Sequence, residues 1–186
     1  MIAPVHSLGP GERVCLWTQG CDRGCPGCIS PELQPFTGSN ADERMLGEIL
    51  RKTAEVNSCT GLTVSGGDPF AQADALLRLL RNVRSVFSDI LVYTGFTLEE
   101  IRNGSCAAAG IECLSLIDVL IDGPYIDERN THDCVLRGSE NQKIRYLTPE
   151  RAEYYEAYLQ KGRILETFSH NGSVVITGIQ DRRELH

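Results

Sequence analysis

The sequence predicts an α/β fold built on a parallel sheet. Short apolar runs alternate with amphipathic helical stretches in the order strand, helix, strand, helix, strand, helix, strand, and that alternation implies parallel strands with covering helices. In addition, each of these strands is followed by a loop of unusual composition: Cys21 to Cys28, Gly66 to Pro69, Thr94 to Phe96 and Asp122 to Tyr125. In parallel sheets, ligands gather at the carboxyl ends of the strands, so four such loops on one rim make a site.

Arg13 to Thr18 reads as the first strand, and the cysteine loop follows it. Pro31 and Pro35 keep the next stretch irregular. A helix begins at Asn40 or Asp42 and runs to about Val56, with Met45, Leu46, Ile49 and Leu50 on one face. Leu62 to Ser65 is a short second strand, broken by Gly66 and Gly67. Ala71 to Val86 is a helix carried by Leu76, Leu77, Leu79, Leu80 and Val83. Ile90 to Tyr93 is the third strand, and Thr97 to Arg102 a short helix whose Thr97 and Glu100 form a capping box. Leu116 to Ile121 is the fourth strand, after a Gly- and Ala-rich connection. Pro149 to Gln160 is helical, with Pro149 near its first position. Ile164 to Phe168 and Ser173 to Thr177 flank His170-Asn171-Gly172, a hairpin signal.

The 186 residues suffice for one domain, 1–186, with a sizeable core. No run approaches the length that spans a bilayer, and the N-terminus lacks the basic start and apolar stretch of a signal peptide, so no membrane association and a cytoplasmic location are expected. A formal net charge of -7 argues against a nucleic-acid partner, since phosphate affinity depends on clustered Lys and Arg. The pairs Arg81 with Arg84 and Arg182 with Arg183 read as solvated helix faces or a tail.

The chemistry is concentrated in the string QGCDRGCPGC, where Cys21, Cys25 and Cys28 stand in C-x3-C-x2-C spacing. Iron–sulfur clusters are held by Cys thiolates, usually four. A tight group of three implies one metal position left for another ligand, and an open position marks a reactive centre. Small residues let a cluster approach the backbone, and Gly27 lets the chain fold tightly between two ligands. The alternative is a structural zinc site, with Cys134 or His132 as a distant fourth ligand. Of the eight cysteines, Cys15 and Cys59 read as small buried side chains, and Cys106 and Cys113 as a redox pair or incidental thiols.

Gly66-Gly67-Asp68-Pro69 either exposes backbone to a ligand or is a turn in which Asp68 caps the next helix. Asp122 could accept from an ammonium or a ribose hydroxyl, or serve as a turn residue before Gly123. Arg137, in a polar stretch through Gln142, could pair with a carboxylate or lie in a solvated loop.

With QGCDRGCPGC, SGGDPF, YTGF, IDGPY and RGSENQ in this order, the chain resembles the radical S-adenosylmethionine (SAM) superfamily. Within it, the chain is similar to the activating enzymes of anaerobic (class III) ribonucleotide reductase. The resemblance covers roughly Arg13 to Ile144. It implies a partial parallel β/α barrel with a C-terminal β-hairpin. It also implies a 4Fe–4S cluster on Cys21, Cys25 and Cys28, with SAM chelating the fourth iron. An electron from a flavodoxin- or ferredoxin-type donor would split the sulfonium, giving methionine and a 5′-deoxyadenosyl radical. That radical would take a hydrogen atom from a backbone glycine of a partner glycyl-radical enzyme. Gly66, Gly67 and Asp68 would line the methionyl amino group, Thr94 and Asp122 would contact ribose or methionyl, and Arg137 the carboxylate or the substrate. The competing readings are radical SAM chemistry on a peptide or small molecule, an electron-transfer or sensing cluster without SAM, and a zinc-stabilised binding module.

Overall fold

In the computed structural model, residues 1–37, 41–170 and 172–180 are described. Asn40, Asn171, Arg182 and Arg183, each given a place above, lie outside them. Among the described residues one sheet holds six strands in the order β1-β2-β3-β4-β5-β6. These are β1 (Ile2–Val5), β2 (Arg13–Thr18), β3 (Gly61–Gly66), β4 (Asp89–Tyr93), β5 (Val119–Asp122) and β6 (Lys143–Tyr146). The four central strands are parallel, as the alternation implies, but β1 and β6 run antiparallel at the two edges. Neither edge strand was expected. β1 contains Pro4, which argues against a strand yet is tolerated at a sheet edge. β6 is four residues long with no fully buried side chain, so its periodicity is weak.

The helices are α1 (Glu43–Val56), α2 (Ala73–Val83), α3 (Leu98–Arg102), α4 (Ala107–Cys113) and α5 (Ala152–Leu159). Asp42 caps α1 by accepting from Arg44 N and Met45 N. The inward face of α1 differs from the expected one: Gly47, Leu50 and Ala54 are buried, while Met45 and Ile49 are exposed. Gly47 sets this rotation, because a Cβ there would stand 3.3 Å from Asn82 Cβ, so α1 lies close on α2. α2 begins later than expected, since Asp68 caps a short 3-10 turn, Pro69–Gln72, ahead of it. α4 occupies the stretch read as a loose connection. Its alanines are the strongest helix formers, and Ala109, Gly110 and Cys113 pack inward beside α2.

Val14, Leu16, Leu62, Val64, Ile90, Val92 and Leu120 project to one face of the sheet, where α1, α2 and α4 cover them. Leu91, Val119 and Ile121 project to the other, under Tyr155 and Tyr158 of α5 and Leu136. Both faces are buried, which explains why these strands read as continuous apolar runs. No helix among the described residues is long and apolar enough to cross a membrane.

The amino ends of the strands are locked by a buried ion pair. Arg13 is fully buried and donates to Asp89 Oδ2 at 2.5 Å, to Thr63 Oγ1 and to the Leu62 and Pro10 carbonyls. Tyr155 Oη donates to the same Asp89 oxygen. Asp89→Ala leaves the guanidinium buried without its counter-charge, and we expect a loss of about 3–5 kcal/mol in denaturant unfolding.

A second, two-stranded sheet follows α5: β7 (Glu166–His170) pairs with β8 (Ser173–Thr177). It is the expected hairpin with its first strand shifted by two residues. His170 pairs with Ser173 and belongs to the strand, not to the turn. Glu166 anchors the register by accepting from the His6 and Ser7 backbone N–H groups.

Candidate functional site

The parallel register sets Thr18, the last residue of β2, opposite Gly66, the last of β3. The cysteine loop therefore leaves the sheet beside the Gly66–Gly67 pair. Gly67 N donates to Thr18 O, and Asp68 N donates to Gly20 O. A Cβ on Gly67 would sit 2.4 Å from Gly20 O and 2.7 Å from Leu33 O, and one on Gly66 would sit 2.2 Å from Thr18 O. These glycines are where two backbones touch, so they support the cysteine loop from beneath.

The loop is tied at both ends. Gly20 N donates to Leu33 O and Cys21 N to Gln34 O, while Cys28 N to Cys25 O closes the turn between the second and third cysteines. Gly27, in that turn, has φ +73, and a Cβ there would strike the Asp127 carboxyl at 2.6 Å.

Cys21, Cys25 and Cys28 are free, half-buried thiols that line one cavity of about 610 Å³. Ser65, Gly66, Gly67 and Asp68 line it from β3, Thr94 and Gly95 from β4, and residues 174–180 from the C-terminal hairpin. Among the described residues lining it there is no other cysteine and no histidine. Cys134 is fully buried elsewhere, its Sγ directed to Arg129 O, and His132 is exposed outside the cavity. The two fourth-ligand candidates of a zinc site are therefore not brought to the three thiols. Among the described residues no three Cys, His, Asp or Glu groups converge to metal-holding distance. The donor set nonetheless fits an iron–sulfur cluster short of one protein ligand: three sulfurs on one loop, facing a cavity of ligand size.

Asp68 braces the rim. It is 1% exposed, and its Oδ1 accepts from Phe70 N and Thr94 Oγ1, its Oδ2 from Gly95 N. Burial pushes its carboxyl above the ordinary range, and the three donors with nearby Arg23 oppose that. Thr94 spends its hydroxyl proton on Asp68 and accepts from Phe96 N. Asp122 and Arg137 do not line the cavity. Asp122 is 2% exposed, accepting from Leu98 N at the start of α3 and from Arg145 Nε. Arg137 donates to the Glu140 and Gln142 carbonyls. The IDGPY and RGSENQ strings meet through Gln142, which accepts from Gly138 N and Ser139 N and donates to Gly123 O.

Sequence reasoning missed two parts of the site. Arg23, between two of the cysteines, lines the cavity with its guanidinium 3.7 Å over the Phe96 ring and 3.5 Å from Glu100. That contact joins the cysteine loop to YTGF, and a basic residue inside the cysteine string was its only signal. The C-terminal hairpin was expected but given no part in the site, yet it forms a wall. Asn130 Nδ2 donates to Gln180 O, and Ser7 Oγ meets Thr177 Oγ1.

The hairpin is also fastened by His6, which bonds Glu166 at 2.9 Å and Glu12 at 2.9 Å. Glu166 and then Glu12 raise the His6 pKa above 6.5. Partial burial would raise Glu166, but the bonds from His6 and Ser7 bring it below 4.5. The His6 contribution is complete below pH 6.5 and fades as pH rises through its raised value; that of Glu166 is complete above pH 4.5 and fades as pH falls through its lowered one. Proteolysis at the hairpin should thus be slowest between these limits, and His6→Ala should flatten the alkaline side.

The other five cysteines do not line the cavity. Burial pushes Cys15, Cys106 and Cys113 up to about 12, so they remain thiols.

Comparison with known proteins agrees with this geometry. Residues 7–145 match the family model of the 4Fe-4S single cluster domain. The chain is 31% identical over 150 residues to an anaerobic ribonucleoside-triphosphate reductase-activating protein of Escherichia coli, covering 75% of this chain and 91% of that protein. It is 34% identical over 146 residues to the protein of that name in Vibrio cholerae, with the same coverage. The one in Haemophilus influenzae is 35% identical over 142 residues, covering 73% of this chain and 88% of that protein. A cavity faced by three cysteines, a match to the 4Fe-4S single cluster domain over residues 7–145 and relatives 31–35% identical over most of their length place this protein in the radical SAM family of anaerobic ribonucleoside-triphosphate reductase-activating proteins.

Proposed function

We propose that this protein uses a 4Fe–4S cluster on Cys21, Cys25 and Cys28 to cleave SAM reductively and thereby install a glycyl radical on an anaerobic ribonucleotide reductase. The observation that carries this reading is the shared cavity: three thiols with no fourth cysteine or histidine on its described wall, at the carboxyl ends of parallel strands. When bound, the cluster supplies the electron that splits the sulfonium C–S bond of SAM.

The chain's own tasks are positioning and exclusion. Gly66, Gly67 and Asp68 are the proposed contacts of the methionyl amino group, with Thr94 holding Asp68 in place. Asp122 and Arg137 act at a distance, through the start of α3 and through the 138–142 loop that they brace. A carbon radical is quenched by nearby C–H and S–H bonds, so the hairpin wall, and the placing of the spare thiols outside the cavity, protect the reaction. We infer further that the sheet is the partial barrel of this superfamily, that residues 1–186 form one domain, that the protein works in the cytoplasm, and that a flavodoxin- or ferredoxin-type protein reduces it.

The test is anaerobic reconstitution with iron and sulfide, reduction with dithionite, and addition of SAM. Methionine and 5′-deoxyadenosine should form, and adding the reductase should give an organic radical doublet. SAM cleavage with turnover of a different substrate, and no radical on the reductase, would move the protein to another radical SAM activity.

A further inference from the structure

The wall that the hairpin contributes is unusual in being both apolar and unpaired. β8 pairs only with β7 among the described residues. Two residues separate His170 from Ser173, so those two form the closing hydrogen-bonded pair. Ladder bonds alternate along an antiparallel pair, and Phe168–Val175 and Glu166–Thr177 are therefore the next bonded pairs. Val174 and Ile176 turn their N–H and C=O groups to the opposite edge. Gln180 confirms this orientation, since its Nε2 donates to Ile176 O at 3.2 Å. That side chain covers the edge as a removable cap.

The same edge borders the cavity. Residues 174 to 180 line it continuously, in company with the three cysteines. Val174 is 64% exposed, Ile176 42%, and Ile29, directly after Cys28 and also at the cavity, 48%. Apolar side chains so exposed around one opening mark a surface that a partner covers.

We propose that the free edge of β8 receives the glycine-bearing segment of the partner reductase as an added β-strand. This rests on the glycyl-radical function proposed above. The hydrogen to be removed lies on a glycine Cα, which has no side chain to grip, so recognition must use the main chain and flanking residues. Strand addition does this: edge N–H and C=O groups hold the segment extended, and pockets take alternate side chains. Val174, Ile176 and Ile29 supply the apolar contacts, and the line of β8 through Gly178 to Gln180 leads the segment along the cavity wall.

Amide hydrogen exchange of the wild-type holoenzyme tests the pairing directly. Adding the reductase should slow exchange at Val174 and Ile176; unchanged exchange at both overturns the proposal. Val174→Pro and Ile176→Pro remove outward N–H donors that β7 does not use. The yield of glycyl radical per 5′-deoxyadenosine should fall about five- to tenfold for each, and less for Val174→Ala, which keeps its N–H. Proline variants with wild-type yield overturn this inference alone. A wild type that cleaves SAM yet raises no radical on the reductase overturns the glycyl-radical function with it.

Discussion

Cys25→Ala is expected to abolish SAM cleavage while leaving the fold in place. The residue is half-buried on a loop outside the packed core, so unfolding stability should change by no more than about 0.5 kcal/mol. Two thiolates cannot replace three, because no other cysteine or histidine stands on the described wall of the cavity. Iron retained after reconstitution should fall sharply, and the rate of 5′-deoxyadenosine formation should drop roughly a thousandfold or more, about 4 kcal/mol of barrier. Cys134→Ala is the matched control: that thiol lies outside the cavity, and its loss should leave the iron content unchanged. Full turnover in Cys25→Ala would contradict the ligand assignment.

Gly67→Ala and Gly66→Ala should be strongly damaging although each adds only one carbon. At Gly67 the new methyl would lie 2.4 Å from Gly20 O and 2.7 Å from Leu33 O. At Gly66, where φ is +117, it would lie 2.2 Å from Thr18 O. All three neighbours are backbone and cannot rotate aside, so the strand ends or the cysteine loop must move. Overpacking, joined at Gly66 by left-handed strain, costs about 3 kcal/mol or more. For a chain of this size that lowers the melting temperature by roughly 6–12 °C. Gly104→Ala separates strain from crowding. Its φ is +83, but a Cβ there meets nothing within 4 Å, so only the strain of about 1–2 kcal/mol applies. Because the displaced segment carries Cys21, the Gly67 variant should also retain less iron. Gly67→Ala with wild-type melting and iron content would show that these glycines serve only the ligand.

These two results separate what the sequence discloses from what it conceals. The cysteine string was legible because thiolate spacing is local: three ligands within eight residues need no tertiary knowledge. The four central strands were legible because both sheet faces are buried, leaving unbroken apolar runs such as Ile90 to Tyr93. The edge strands were not, since β6 buries no side chain fully and β1 carries a proline. In α4 the glycine of an Ala-rich stretch read as a break, although it is a contact point, with a Cβ there only 2.8 Å from Cys106 Cβ. In the site, Gly66 and Gly67 were recognised as special, but their contact with Thr18 and Gly20 depends on strand register, which a single sequence does not display. Asp68 likewise showed itself as a helix cap, whereas its bond to Thr94 spans 26 positions. The hairpin's place beside the cysteines depends on Glu166 reaching back to His6 and Ser7, some 160 residues away.

The proposed activity requires an iron–sulfur centre held by three sulfurs of this chain, with one iron left to SAM. Mössbauer spectroscopy of the iron-57-reconstituted protein, recorded before and after SAM is added, tests this most directly. One iron in four should change its parameters when SAM binds, and the other three should keep theirs. Four irons that are equivalent and indifferent to SAM, or three thiolates occupied by a tetrahedral zinc ion, would contradict it.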